Sequence, residues 1–419
     1  MKKKKDNFTF IDLFAGCGGL SEGFLQTGLF EGVAHVEWEL PMVETLRHRL
    51  STKWKHTSDE SKKSVIHFDI QKTNELIHGN WSKESITKFG KTNHEQIIKN
   101  GIKSLTNDRE IDLIIGGPPC QAYSIAGRAQ DNNSMKDDYR NYLFESFVKV
   151  VDAFSPKVFV FENVPGILSA RPGDKLVTER IYEAFKILGY KILEPKKLQT
   201  ATFTATDFGV AQKRNRIIII GVKKDSDFDL KNIYSAIKAQ SLKEKNTTVK
   251  DTIGHLPSIK PLKMVKRENG KNISHQLVDI KDKLHSPRFH NPRDISIFKN
   301  WVSKNMNSMQ SADKIKFYND LIGKKSNHGK YRNLEWDKPS PTIVAHLHKD
   351  GLMFIHPDAE QARSITVREA ALLQSFPEDY QFLGSQGTCY KMIGNAVPPK
   401  MAKGIANGIY DILTQKSNS

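Results

Sequence analysis

Disulfide bonds have almost nothing to work with in this chain. Its three cysteines, Cys17, Cys120 and Cys389, are spread over 419 residues. An odd, sparse set excludes a disulfide scaffold and a cysteine-rich zinc module. Long apolar runs are missing too. The longest aliphatic run is Ile217–Ile220, against the roughly 20 residues that span a bilayer. The opening Met1-Lys2-Lys3-Lys4-Lys5 leads into Asp6, Asn7, Thr9 and Asp12, so no apolar leader follows. These absences predict a cytoplasmic protein in a reducing compartment. Acids are in short supply as well. Lys and Arg number 64 and Asp and Glu 47, a net charge of +17. A basic soluble chain meets polyanions, nucleic acid first and acidic membrane surfaces second. What is present is 38% hydrophobic, enough for a sizeable core, in two or three domains at about 100–200 residues each.

Charge and pattern divide the chain. Lys231–Leu334 holds 22 Lys and Arg against 8 Asp and Glu. Such a stretch is either a solvated lysine-rich surface or a footprint for a phosphate backbone. The first 222 residues alternate short apolar runs with amphipathic stretches. Phe8–Phe14, Val33–Val36, Ile111–Ile115, Val158–Phe161 and Ile217–Val222 read as buried strands, and Asn141–Ala153 and Leu176–Leu188 as helices. Strands alternating with helices predict a parallel sheet covered on both faces. Between Lys231 and Leu334 periodicity fades, so an irregular insert is expected there. Thr366–Gln374 reads as a helix, and Pro398-Pro399 opens another with Met401, Ile405, Ile409 and Ile412 on one face. The expected domains are 1–222, a basic second domain over 223–385, and a return to the first domain over 386–419.

Four clusters carry chemistry. Phe10–Leu13 runs into Phe14-Ala15-Gly16-Cys17-Gly18-Gly19, a glycine turn where backbone can approach a ligand at a sheet's carboxyl edge. The spacing only approximates a dinucleotide fingerprint. Glu37, about 20 residues on and followed by Trp38, is placed to accept from ribose hydroxyls. Asp69, before Ile70, closes a third short apolar stretch. Gly116-Gly117-Pro118-Pro119-Cys120 stiffens a loop that ends on a thiol. Buried cysteines are mostly inert, but a thiol in a polar loop at this edge is a candidate nucleophile, active as the thiolate. Glu162, after Val158–Phe161, can hold a proton in an apolar pocket. Arg214 and Arg216, before Ile217, fall on the same side by strand alternation and offer planar donors. Cys17 and Cys389 lack such settings.

In order, FIDLFAGCGG, VEWEL, GGPPCQAYS, FENVPG, QKRNRIIIIG, ITVREAALLQSFP and IGNAVPP resemble the DNA (cytosine-5)-methyltransferases of bacterial type II restriction–modification systems. The resemblance covers most of the chain outside the basic insert. It implies an α/β fold: a Rossmann-like S-adenosylmethionine-dependent methyltransferase domain, a smaller basic target-recognition domain, and duplex DNA in the cleft between them. By similarity Phe14, Gly16 and Gly18 line the cofactor pocket with Ile70 and Pro119. Glu37 holds the ribose, Trp38 lies near the adenine, Asp69 meets its amino group, and Asn395 closes the site from the IGNAVPP segment. No metal is implied.

The resemblance also assigns roles in the reaction. Cys120 attacks C6 of a flipped-out cytosine, Glu162 supports N3 and the exocyclic amine, Arg216 contacts O2, and Arg214 supports that loop. It implies a monomer, linked by function to a cognate restriction endonuclease. Two features depart from the pattern: Leu372 stands where an arginine is frequent, and Thr73–Asp108 is long. The rivals are an RNA cytosine-5 methyltransferase on the same fold, a catalytically inactive DNA-binding relative, an exocyclic-amine methylase, whose loop lacks the cysteine, and a nicotinamide oxidoreductase, which leaves Cys120 unexplained.

Overall fold

The structure is a computed structural model that describes residues 7–119, 143–241, 243, 247–276, 282–322, 331–349 and 351–415. They fall into two compact units. One is drawn from Met1–Gly209, Arg214–Lys245 and Ala396–Ser419, the other from Val210–Lys213 and Asn246–Asn395. The borders expected after residues 222 and 385 therefore lie elsewhere. Helix Leu230–Ser241 belongs with the first unit because it packs on helix Pro399–Gln415. A Cβ on Gly408 would come 2.6 Å from the Ile237 nitrogen. Helix Gln386–Asn395 belongs with the second, where a Cβ on Gly394 would come 2.3 Å from the Val344 carbonyl carbon.

The first unit is built on one mixed sheet. Its strands are β1 (Phe8–Leu13), β2 (Phe30–Glu37), β3 (Val65–His67), β4 (Leu113–Gly116), β5 (Val158–Asn163), β6 (Tyr190–Lys191), β7 (Thr202–Thr204) and β8 (Asn215–Lys223). The order is β3-β2-β1-β4-β5-β8-β6, with β7 also on β8. The first five run parallel, as the alternating pattern predicts. β8 runs antiparallel to β5, and β6 and β7 antiparallel to β8. An all-parallel sheet is thus corrected to a mixed one. A buried apolar run such as Ile217–Val222 reports burial, and direction is set by the connection.

β4 and β5 are buried throughout, as strands covered on both faces must be. Phe147 of helix Leu143–Phe154 and Phe185 of helix Val177–Ile187 pack on Phe159, with Phe159 and Phe185 stacked at 4.0 Å. The five parallel strands all finish at the same edge. That edge receives Phe14, Trp38, Phe68, Gly117 and Val164 in turn, with Asp69 one residue past Phe68.

The second unit is more regular than its composition predicts. It contains the hairpin of β9 (Pro261–Glu268) and β10 (Lys271–His275) and the helices Pro292–Ser303 and Ser311–Ile322. Ile297, Phe298, Trp301, Tyr318 and Tyr331 form its apolar core. Thr366 caps helix Val367–Leu373 through a reciprocal bond with Glu369, a local stop-and-start signal that sequence carries well. Leu372 is buried in that helix. No helix among the described residues is long and apolar enough to cross a membrane.

Candidate active site

At the edge of β1 the backbone turns sharply. Phe14, Gly16 and Gly18 have φ of +59°, +57° and +85°, and Gly18 opens the buried helix Gly19–Leu25. Only glycine adopts this region without strain, so Phe14, half-buried, is held there by its surroundings. A Cβ on Gly16 would meet nothing within 4 Å, so the turn borders open space.

Glu37, at the end of β2, faces that turn. Its Oε2 accepts from Gly16 N at 2.8 Å, and its Oε1 from Trp38 N and Glu39 N, both at 2.8 Å. Burial pushes its pKa up, and these three N–H donors pull against it. Oε2 keeps acceptor capacity for a hydroxyl. Trp38 is 49% exposed, its ring edge-on to Phe89 at 6.2 Å with the Lys88 ammonium 4.3 Å above it. Asp69 is half-buried and its Oδ1 accepts from Gln71 N at 3.0 Å, while Ile70 is buried.

The 73–108 stretch backs this region. Its Trp81 stacks on Phe68 at 4.1 Å, and Asn93 binds both the N–H and the carbonyl of His67. Sequence reasoning misses Lys88 and Phe89, because helix Lys83–Phe89 carries no motif.

A second cluster forms where β4, β5 and β8 meet. Arg216 Nε lies 2.5 Å from Glu162 Oε1, both side chains nearly buried. Register explains the encounter: Glu162 is opposite Ile218 on the antiparallel β8, so Arg216 stands one pleat further along. A Cβ on Gly117 would lie 2.5 Å from Glu162 Oε2. Asn163 Nδ2 donates to the Pro118 carbonyl at 3.3 Å. The Gly117-Pro118-Pro119 loop therefore lies close against Glu162 and is tied to Asn163. Pro119 is half-buried, and Cys120 lies outside the described residues.

The remaining sequence candidates are placed as follows. Arg214 precedes β8, so strand alternation does not pair it with Arg216. It is 2% exposed, and its carbonyl accepts from Ala205 N at 2.8 Å in the β7–β8 turn. Asn395 ends helix Gln386–Asn395, exposed, in the second unit. Cys17 and Cys389 are buried, and burial pushes the Cys389 thiol up to about 11, which fits inert roles.

One buried group escapes the sequence reading. Asp12, one residue from the end of β1, binds Ser21 Oγ, which lies 2.9 Å from His35 Nδ1. Burial raises Asp12 to about 7 and lowers His35 to about 3. With Ser21 donating to Asp12, the neutral His35 must carry its proton on Nδ1 and donate to Ser21. An acid between Ile11 and Leu13 in an otherwise apolar strand is the available signal.

The glycine turn and the acids at the ends of β2 and β3, beside an open α/β sheet, are the features of a Rossmann-like nucleotide-type site. The comparisons name its class. Residues 8–80 and 71–411 match the family described as C-5 cytosine-specific DNA methylase, and the chain belongs to that family. It is 33% identical to the type II methyltransferase M.Bpa9945I of Bacillus paralicheniformis, over 96% of this chain and 98% of that one. It is 31% identical to M1.HphI of Haemophilus parahaemolyticus, over 98% and 88%. In fold it is similar to a prophage-encoded E. coli protein, with a TM-score of 0.59, 25% identity, and coverage of 97% of this chain and all of that one. The S. pombe Dnmt2 methyltransferase shares the fold at a TM-score of 0.54 and 12% identity, over 98% of this chain and all of that one.

Proposed function

We propose that this chain methylates C5 of cytosine in duplex DNA with S-adenosylmethionine as donor, as the modification half of a type II restriction–modification pair. The Glu162–Arg216 pair, packed against the loop that leads into Cys120, carries the reading.

The donor site fits such a ligand. Glu37 keeps an acceptor beside the turn at Gly16, Trp38 offers a half-exposed aromatic face, and Asp69 a half-buried acceptor. Phe14, Gly18, Ile70 and Pro119 surround the same strand ends, and Asn395 is assigned there by resemblance. When bound, the sulfonium supplies an electrophilic methyl group.

C5 of cytosine is a weak nucleophile, and in a duplex it is out of reach until the base is flipped out. In the proposed sequence the Cys120 thiolate bonds to C6, and the electron pair of the C5–C6 double bond becomes available at C5. Glu162 hydrogen-bonds N3 and the exocyclic amine and supports charge developing there. Arg216 neutralises Glu162 before the base arrives and contacts O2 afterwards, and Arg214 braces the turn behind it. The donor, when held there, would supply its methyl carbon to C5, the electron pair of the broken bond staying on sulfur. Loss of the C5 proton to solvent and departure of the Cys120 thiolate restore the ring.

Transfer of a tritiated methyl group into duplex DNA tests the activity, and bisulfite sequencing locates the cytosine. Label in RNA alone would favour the RNA methyltransferase, and label in neither the inactive relative. A covalent complex with 5-fluorocytosine DNA tests the Cys120 step.

A further inference from the structure

The β9–β10 hairpin has no work to do inside its own unit. Its base is anchored: His275 Nε2 meets the Gln361 carbonyl at 3.1 Å, His290 N donates to Ser274 Oγ at 3.0 Å, and Gln276 N to the Lys260 carbonyl at 2.8 Å. From Lys263 to Asn272 every residue assigned to a strand is exposed. Met264 is 79% and Val265 41% exposed. The turn, Asn269-Gly270, has φ of +48° and +77°, the mirror-image turn that fits a twisted two-stranded ribbon. A lone ribbon of this kind is marginal in water, and apolar residues on both of its faces mark a surface that another molecule covers.

Charge says which molecule. Lys260, Lys263, Lys266, Arg267 and Lys271 stand on this ribbon or at its foot against Glu268 alone. The major groove of B-DNA, about 12 Å wide and 8.5 Å deep, admits a two-stranded ribbon. The span from Lys263 to Asn269 reaches roughly 20 Å. Arg267 pairs with Asn272 across the strands. Glu268 and Lys271 flank a two-residue turn as the hydrogen-bonded pair, so Arg267 and Asn272 form the closer-spaced pair beyond it. Of the four arginines between Lys231 and Leu334, Arg288 donates to the Leu347 and His348 carbonyls and Arg293 pairs with Asp294. Arg267 and Arg332 are exposed, and neither has a side-chain partner among the described residues.

We propose that the β9–β10 hairpin enters the major groove tip first and is the target reader. Arg267 pairs with a guanine edge and the adjacent Asn272 with an adenine edge, the two bidentate matches their donor patterns make. Val265, on the same face, packs beside them. Lys266 and Lys271, on the other face, and Lys263, nearer the foot, meet phosphates. The proposal rests on the duplex-DNA methylation reading above and adds the residues that choose the site.

The experiment uses the full-length chain and a panel of duplexes, each differing by one base pair from the wild-type target found by bisulfite sequencing. Arg267→Ala and Asn272→Ala should each relax one position of that target. The wild-type preference there, about tenfold to a hundredfold, should fall toward one. Lys263→Ala/Lys266→Ala/Lys271→Ala should weaken binding to every duplex alike and lower the salt slope by roughly 0.9 for each phosphate no longer neutralised. Unchanged near-ultraviolet dichroism and donor binding verify folding, and Arg267→Lys should recover only part of the preference. If wild type methylates DNA and both single variants keep its ranking of sites, the hairpin is not the reader. The same holds if Arg332→Ala relaxes the site instead. If wild type methylates no duplex, the underlying reading fails and takes this one with it.

Discussion

Gly117 has no room for a side chain, because the Glu162 carboxylate occupies the space where a Cβ would go. Gly117→Ala should therefore push Glu162 off Arg216. We expect turnover to fall by at least a hundredfold, the lower end for a positioned acid or base, with donor affinity unchanged by calorimetry. Glu162→Gln keeps the shape and loses the acid, so turnover should fall by roughly two to four orders of magnitude; loss of donor binding with normal turnover would move Glu162 to another site. Cys120→Ser should abolish both turnover and the 5-fluorocytosine complex, since a hydroxyl is a far weaker nucleophile than a thiolate. At this scale the sequence is informative where a residue breaks a local rule. Glu162 and Glu37 stand at the ends of apolar runs and are legible for that reason. Asp12 breaks the same rule inside a run and reads simply as strand. The meeting of Glu162 with Arg216 depends on strand register, which no single motif encodes.

Among the elements, the strands are legible and their directions only partly so. Four of the five predicted runs belong to the parallel set, but Ile217–Val222 looks the same whichever way it runs. Helices Pro292–Ser303 and Ser311–Ile322 are lost in lysine-rich sequence. The narrow stripe of Ile297, Phe298 and Trp301 is a weak periodic signal among so many polar residues. The 73–108 stretch is visible as an excess of length, and its position explains it: helix Lys83–Phe89 brings Lys88 over Trp38. A cation over an indole contributes about 0.5–1 kcal/mol at an exposed site. Lys88→Ala should weaken donor binding by roughly twofold to fivefold, read by quenching of tryptophan fluorescence, and leave kcat nearly unchanged. A change in kcat with unaltered binding would place Lys88 elsewhere in the reaction.

For the whole molecule, buried ionisable groups give the two units unequal responses to acid. Burial pushes His275 and His356 down to about 4 and His290 to about 3. They stay neutral when folded, while the unfolded chain takes up protons near pH 6.5. Their stabilisation is complete above that pH and drains as it falls, by at most about 1.4 kcal/mol per pH unit each. Burial opposes ionising Glu369, but the Arg363 guanidinium outweighs it and holds the carboxyl well below the usual range. That contribution is present above the unfolded carboxylate pKa and is also lost in acid. In the first unit His35 has the histidine sign, but Asp12, raised to about 7, has the reverse one. Its stabilisation is full below about pH 4 and is lost as pH rises through 7, so the two offset each other between. On lowering the pH from 7.5 to 5, hydrogen exchange corrected for intrinsic rate should lose protection first in 247–395. Earlier loss in β1 and β4 would contradict this. The unit borders also bear on grafting. Exchange of 246–395 with a relative of different target should carry specificity across, whereas exchange of 231–334 removes Leu230–Ser241 from its partner helix and should cost solubility.

Chain order has its own consequence. Helix Pro399–Gln415 covers Gly19–Leu25 so closely that a Cβ on Gly23 would lie 2.4 Å from the Ala402 Cβ and 2.5 Å from the Pro399 oxygen. A ribosome makes that helix only after every residue of the second unit has been synthesised. The first unit must wait through that synthesis with all five parallel strands made and the face of Gly19–Leu25 bare. A nascent chain halted at Asn395 thus carries every residue assigned to the chemistry and still lacks the helix that braces the glycine turn, so translation itself delays the enzyme's competence until its last long helix arrives.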